Sequence, residues 1–116
     1  MIRDLPDRLF KFAGSVLLLL KSLPDTPEGK VIRYQLAKAA TSAGANYEES
    51  QAGSSKPDFA NKIRISLREM REANYWLRLC EFSFKSEKIN LDLLKDLIPE
   101  SKELIKILAA ILNKCK

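Results

Sequence analysis

Apolar residues recur at alternating steps of three and four along most of the chain, which is the spacing that places side chains on one side of an α-helix. Over residues 5–23 this pattern predicts a first helix, ended by a proline-containing turn. A second helix is predicted from Pro27, after a threonine suited to cap it, to about Gln51. A third is predicted to open at Pro57, and a fourth to follow the capping residue Asn90. No alternating strand pattern competes with these four helices.

The inward-facing stripes of the four helices predict the core. Because the connections are short, neighbouring helices must be antiparallel, and the predicted fold is all-α: an up-down-up-down antiparallel four-helix bundle forming one domain over residues 1–116. Small residues on the second helix should let another helix approach closely. Pro99 lacks an amide hydrogen and predicts a kink or a restart in the fourth helix. The predicted core residues are Leu5, Leu9, Phe12, Val16, Leu19 and Leu23; Ile32, Leu36, Ala39, Ala40, Ala43 and Tyr47; Phe59, Ile63, Ser66, Leu67, Met70, Ala73, Leu77, Cys80 and Phe84; and Leu94, Leu97, Leu104, Leu108, Ile111 and Cys115.

The first helix carries a second apolar stripe beside the one assigned to the core. It contains Phe10, Ala13, Leu17 and Leu20. A single bundle core cannot cover both stripes, and apolar surface left in water commonly marks an interface. The sequence therefore favours a homo-oligomer.

Composition removes several classes of function. The 116 residues include no histidine, which excludes an imidazole base, a histidine-activated nucleophile and a histidine metal ligand. Two distant cysteines, Cys80 and Cys115, do not make a zinc site and are expected to be reduced core residues. There is no glycine-rich phosphate loop. We therefore predict no catalytic residue, no cofactor and no metal.

Charge and apolar run length bear on partners and location. The net charge of +5 is compatible with an acidic partner such as RNA or DNA, although many proteins with such a charge bind nothing acidic. The longest apolar run, residues 16–20, is far too short to span a bilayer, and no secretory signal pattern precedes it. A cytoplasmic protein with no membrane partner is expected.

The predicted third helix presents a stripe opposite its core side that is rich in arginine. In one interpretation its guanidinium groups contact phosphates of a nucleic acid and its tyrosine stacks on a base. In the other, the stripe is a solvated face in which Arg68 and Glu72 form an ordinary i,i+4 pair. Charge runs are usually solvated faces, so the stripe alone favours the second interpretation. The stripe consists of Arg64, Arg68, Arg71, Tyr75 and Arg78.

Between the arginine stripe and the core lies a mixed stripe containing Glu69, Glu72 and Trp76, with Ile65 and Leu79. A large indole beside two carboxylates does not suit the centre of a bundle. It suits a boundary between helices or subunits, where arginines meet the acids and the indole is covered. The alternative is that Trp76 packs at the edge of its own core and both glutamates stay in water.

Two polar residues near the end of the second helix need partners. Asn46 lies at the margin of the small-residue face and could tie down the backbone of the turn at 53–55. Glu49, one turn further on, could lie near the start of the third helix or pair with Arg64. A polar functional site is the alternative, but structural roles are favoured because neither histidine nor a metal set is present.

The stretch SAGANYEES resembles the Asn-x-x-Glu signature of the bacterial four-helix bundle proteins encoded in intervening sequences of 23S rRNA genes. KIRISLREMREANYWLRL resembles the third helix of that family, and the start at Asp58-Phe59 also fits. Ser50 departs from the family, which usually has glycine there. The resemblance implies a ring-like homopentamer without known enzymatic activity. Its matching positions, taken as structural or assembly residues, are Asn46, Glu49, Glu69, Glu72 and Trp76.

The resemblance also implies partners. Relatives are accessory proteins of diversity-generating retroelements, in which a basic pentamer is thought to engage a reverse transcriptase and nucleic acid. The main prediction is a non-enzymatic oligomer that binds nucleic acid weakly through basic helix faces. The alternative is a protein–protein adaptor, for example for a reverse transcriptase, without a direct nucleic-acid role. A bundle-type ribonuclease is disfavoured because such enzymes pair a histidine with an arginine.

Overall fold

The computed structural model describes residues 4–53, 55–85 and 88–115, and this part of the chain forms four helices and no strand. Each helix packs against the next, and α1 also packs against α4, which closes the bundle. The predicted all-α four-helix bundle is confirmed. No described helix is both long enough and apolar enough to cross a membrane. The helices are α1, Leu5–Leu20; α2, Pro27–Ser50; α3, Lys56–Ser83; and α4, Leu91–Asn113.

Side-chain caps fix where three of the helices begin. The side chain of Thr26 accepts a hydrogen bond from the amide of Gly29 at 3.1 Å, and that of Asn90 accepts one from the amide of Leu93 at 3.2 Å. Both caps match the sequence-based expectation. The third helix begins one residue before the predicted Pro57, because Ser55 is its cap.

The core contains nearly all of the predicted apolar residues. Leu23 is buried although α1 ends three residues earlier than predicted. Phe59 and Ile111 are only partly buried. The expectation for Cys115 is wrong: its side chain is exposed, whereas Cys80 is buried. Cys115 follows the last residue of α4, so helical periodicity no longer directs it to the core.

Two features of the helix contacts bear on the predicted small-residue face. A Cβ atom at Gly44 would lie 3.6 Å from Leu9, so α1 passes close to α2 there. On the other side, the hydroxyl of Ser66 donates a hydrogen bond to the carbonyl of Ala43 at 2.7 Å. A side chain as short as serine reaches a neighbouring backbone only when the helices lie close together, and the expected close approach is confirmed.

The fourth helix continues through Pro99 without a restart, so that alternative is wrong. Proline at this position removes the amide that would bond to the carbonyl of Lys95. Two residues later, the hydroxyl of Ser101 donates to the carbonyl of Ile98 at 2.7 Å. Ser101 is fully buried at the face that α4 turns towards α3, and it becomes part of the site described next.

Candidate nucleic-acid interface

The arginine stripe of α3 is an exposed surface on one side of the helix. All five predicted members, Arg64, Arg68, Arg71, Tyr75 and Arg78, are exposed, while the core residues of the same helix are buried. Phe82, which is not among the five predicted residues, continues this stripe and is 73% exposed. Phe82 lies seven residues after Tyr75 and four after Arg78, a spacing that places all three on the same face of a helix. We call these six residues the basic face.

The arginines of the basic face form no ion pairs with described residues. Among the described residues, none of Arg64, Arg68 and Arg71 has a carboxylate oxygen within 4.0 Å. The Arg68–Glu72 pair of the solvated-face interpretation is absent, and a Glu72 oxygen accepts a hydrogen bond from the indole nitrogen of Trp76 at 3.1 Å. The guanidinium groups therefore remain available to an anion from outside the chain.

Each exposed aromatic ring at the C-terminal half of the basic face is accompanied by a cation. The Cζ atom of Arg78 lies 5.8 Å from the ring centroid of Tyr75, and the Nζ atom of Lys85 lies 5.3 Å from that of Phe82. Both distances are within the range of a cation–π contact. Tyr75 also meets Trp76 edge to face, with centroids 5.2 Å apart. This end of the surface thus combines π faces with positive charge.

A buried polar chain holds Arg78 in place. The Nε atom of Arg78 donates to Oδ1 of Asn74 at 2.9 Å, and Nδ2 of Asn74 donates to the hydroxyl of Ser101 at 2.9 Å. Asn74 is only 8% exposed, so the chain runs from solvent into the contact between α3 and α4. Asn74 is likewise absent from the predicted site residues, although its position four residues after Met70 places it near the core side of the helix.

The mixed stripe lies at the edge of the bundle. Glu69, Glu72 and Trp76 are all partly buried, and Trp76 packs against the core of its own chain. This placement agrees with the intrachain alternative for Trp76, but the glutamates are not fully in water. The interpretation of this stripe as a subunit boundary stays a prediction.

The two polar residues of α2 have contacts within α2 and near the start of α3. Nδ2 of Asn46 donates to the carbonyl of Ser42 at 2.9 Å, within its own helix; residue 54 of the expected turn lies outside the described residues. The carboxylate of Glu49 lies 3.6 Å from the ammonium of Lys62, in the second turn of α3, and does not pair with Arg64. Two residues rotate a helix by about 200°, so Arg64 points away from α2 when Lys62 points towards it. Both residues have structural contacts.

The surface of α1 is partly uncovered, as the second apolar stripe predicted. Phe10 is 78% exposed and Leu17 is 45% exposed, whereas Ala13 is partly buried and Leu20 is buried. A largely apolar groove of about 360 Å³ lies between α1 and α2. We call it the α1 groove; its lining includes Phe10, Ala13, Gly14, Leu17, Thr41 and Ala45.

The described residues offer little for acid–base or metal chemistry. No group of three or more Cys, Asp or Glu side chains is arranged there to hold a metal. Burial and, to a smaller extent, the nearby Glu81 together raise the pKa of the Cys80 thiol to about 11, so the thiolate is scarce at neutral pH. Burial also raises the pKa of the Tyr47 hydroxyl.

Comparisons with known proteins agree with the fold. The family described as 23S rRNA-intervening sequence protein matches residues 6–110, from the first turn of α1 to the last turn of α4. A solved structure of a protein with unknown function from the S23 ribosomal protein family of Bacteroides thetaiotaomicron VPI-5482 is 31% identical in sequence. The match covers 93% of this chain and 97% of that chain, with a TM-score of 0.79. No curated protein matches the chain.

Proposed function

Since this chain belongs to the family of 23S rRNA-intervening sequence proteins, we propose that it is a non-enzymatic four-helix bundle protein that binds nucleic acid through the basic face of α3. The observation that supports this most strongly is the absence of carboxylates within 4.0 Å of Arg64, Arg68 and Arg71 among the described residues. Arginines that decorate a solvated helix commonly pair with acids one turn away. These do not, so phosphates are suitable ligands for them.

The proposed complex is a homo-oligomer, with five subunits by resemblance. Its support is the α1 groove, because Phe10 and Leu17 remain in water in the single chain. A second copy seated there would bury them. Repeating the basic face around an assembly would convert a weak contact in each subunit into useful avidity. The net charge of +5 in each chain has the sign that this role requires.

A non-enzymatic role is proposed because the chain lacks the groups that RNA cleavage by a histidine–arginine pair needs. The sequence contains no histidine, and the buried thiol of Cys80 is protonated at neutral pH. Cleavage of RNA by the purified protein, lost with a single substitution, would contradict this part of the proposal.

The test is fluorescence anisotropy with a labelled RNA of about 12 nucleotides, a length within the range that one small domain covers. Arg68→Ala/Arg71→Ala is expected to weaken binding by about 1–2 kcal/mol, a factor of roughly 5 to 30. Lys102→Ala/Lys106→Ala, on the exposed face of α4, removes the same charge and is the matched control. Equal losses in the two variants would show that net charge, not the basic face, determines binding. No binding by the wild-type protein at low salt would contradict the proposal itself.

One observation favours a second candidate, a protein–protein adaptor that could serve a reverse transcriptase. The α1 groove is apolar, and nucleic acid offers little apolar surface to fill it. Light scattering, which measures the oligomeric state, and a gel shift, which measures RNA binding, distinguish the nucleic-acid-binding oligomer from the adaptor when both are applied to the same sample. If Phe10→Ser/Leu17→Ser dissociates an oligomer and Leu91→Ser does not, the groove joins copies of this chain. A protein recovered after nuclease treatment, with no shift of RNA, would favour the adaptor.

A further inference from the structure

The C-terminal end of α3 differs from the rest of the basic face because it carries aromatic rings. Tyr75 is 49% exposed and Phe82 is 73% exposed, and both lie on the same side of the helix. Seven residues separate them, a distance along the axis of roughly 10.5 Å. Large rings left in water on a positively charged surface are suited to stacking against flat ligands that carry negative charge.

The two rings border an open cleft of about 710 Å³ between the end of α3 and the start of α4. Positive charge enters this cleft from both helices and from the connection between them, through Arg78, Lys85 and Lys95. Arg78 lies against the Tyr75 ring, and Asn74 fixes its orientation. Among the described residues, the lining of the cleft includes one carboxylate, Glu81, which opposes an anionic ligand.

From this arrangement we infer that Tyr75 and Phe82 form a stacking platform for unpaired bases, so that the protein prefers single-stranded nucleic acid to a duplex. This inference rests on the proposed nucleic-acid function. Arg64, Arg68 and Arg71 contact the sugar–phosphate backbone, which both forms present. The rings act only on a strand whose bases are free, because the faces of bases inside a duplex already stack on one another. In the basic face, Arg64, Arg68 and Arg71 thus bind single and double strands alike. The aromatic residues at its C-terminal end bind only single strands.

Because Tyr75 contacts Trp76, the fluorescence of Trp76 can report directly whether a base is stacked on Tyr75. Trp76 is the single tryptophan of the chain, and its ring centroid lies 5.2 Å from that of Tyr75. A base stacked on Tyr75 brings a strong electron acceptor next to the indole, so Trp76 emission should fall as an unlabelled oligouridine is added. An equal concentration of a duplex of the same length should leave the emission unchanged.

The decisive experiment measures binding of Tyr75→Leu/Phe82→Leu to an oligouridine of about 12 nucleotides and to a duplex of the same length. Leucine keeps apolar volume at exposed positions and removes the π face. We expect a loss of roughly tenfold or more on the single strand and less than about twofold on the duplex. Tyr34→Leu, at an exposed aromatic residue of α2, is the control and should change neither. Glu81→Gln should tighten binding of the single strand.

The outcomes separate this inference from the function on which it rests. If wild-type protein binds neither form, the nucleic-acid proposal fails. If it binds both equally, or if Tyr75→Leu/Phe82→Leu weakens both to the same extent, the function stands and the stacking platform is refuted. Displacement of the oligouridine by an acidic peptide that binds the wild type more tightly, and loses affinity in the same variant, would assign the cleft to a protein partner instead.

Discussion

The hydrogen bond between Asn74 and Ser101 joins α3 to α4 at the base of the candidate site, and a double-mutant cycle can measure it. The two side chains are 2.9 Å apart and buried. In Ser101→Ala, the side-chain NH2 group of Asn74 loses its hydrogen-bond acceptor among the described residues. Leaving a buried donor unpaired lowers the free energy of unfolding by about 1–3 kcal/mol. In Asn74→Ala the Ser101 hydroxyl still donates to the carbonyl of Ile98, so a smaller loss of about 1 kcal/mol is expected.

The double variant removes both partners and therefore leaves nothing unpaired. Its loss should be smaller than the sum of the two single losses, with a coupling of about 1 kcal/mol. For a chain of this size, 1 kcal/mol corresponds to a shift in melting temperature of about 4 °C. Urea and thermal unfolding followed by circular dichroism provide the four free energies. Lys102→Ala, at an exposed position of α4 beside Ser101, is the control and should cost less than about 0.5 kcal/mol. Strictly additive losses would show that this hydrogen bond contributes nothing to stability.

Two further predictions concern glycines and cysteines. Gly29→Ala should destabilise the fold by more than about 2 kcal/mol in urea unfolding, since its Cβ would clash with the carbonyl oxygen of Pro24. Gly14→Ala, with nothing within 4 Å in the single chain, should instead stabilise it by about 0.5–1 kcal/mol, and a loss measured on the dissociated chain would contradict the described packing. A thiol reagent should modify Cys115 at once and Cys80 only on unfolding. Because burial raises the pKa of Cys80 from 9.0 to about 11, its stabilising contribution is complete below pH 9 and falls as the pH rises towards 11. Relative to Cys80→Ala, the wild type should lose roughly 2–3 kcal/mol over that range, and parallel pH profiles would refute the shift.

The helices and most of the core could be predicted from the sequence because both depend on local information. Thr26 and Asn90 cap helices through contacts three residues away, which a sequence pattern contains directly. Cys115 is a position at which the local sequence pattern gives a wrong prediction of burial. The seven-residue period continues to that position, but the helix itself stops at Asn113, and the predicted burial fails.

In the candidate site, too, some features follow from local sequence and others depend on how the helices pack. That Arg68 and Arg71 share an exposed face follows from helical geometry, and Phe82 could have been added by the same rule. The partners of Asn74 and Glu49 could not be predicted, because they depend on the rotation and height at which neighbouring helices meet. Those quantities are set by packing over the whole core, not by the period of one helix.

The salt dependence of binding tests the central claim, that the arginines of α3 contact phosphates. On a single strand the slope of log K against log salt concentration is roughly −0.7 for each phosphate contact, so contacts from Arg64, Arg68 and Arg71 predict a slope of about −2.1 per subunit. With Arg68→Ala/Arg71→Ala the slope should flatten to about −0.7. A wild-type affinity that does not change with salt, or a slope that stays the same when these two arginines are removed, would contradict the account.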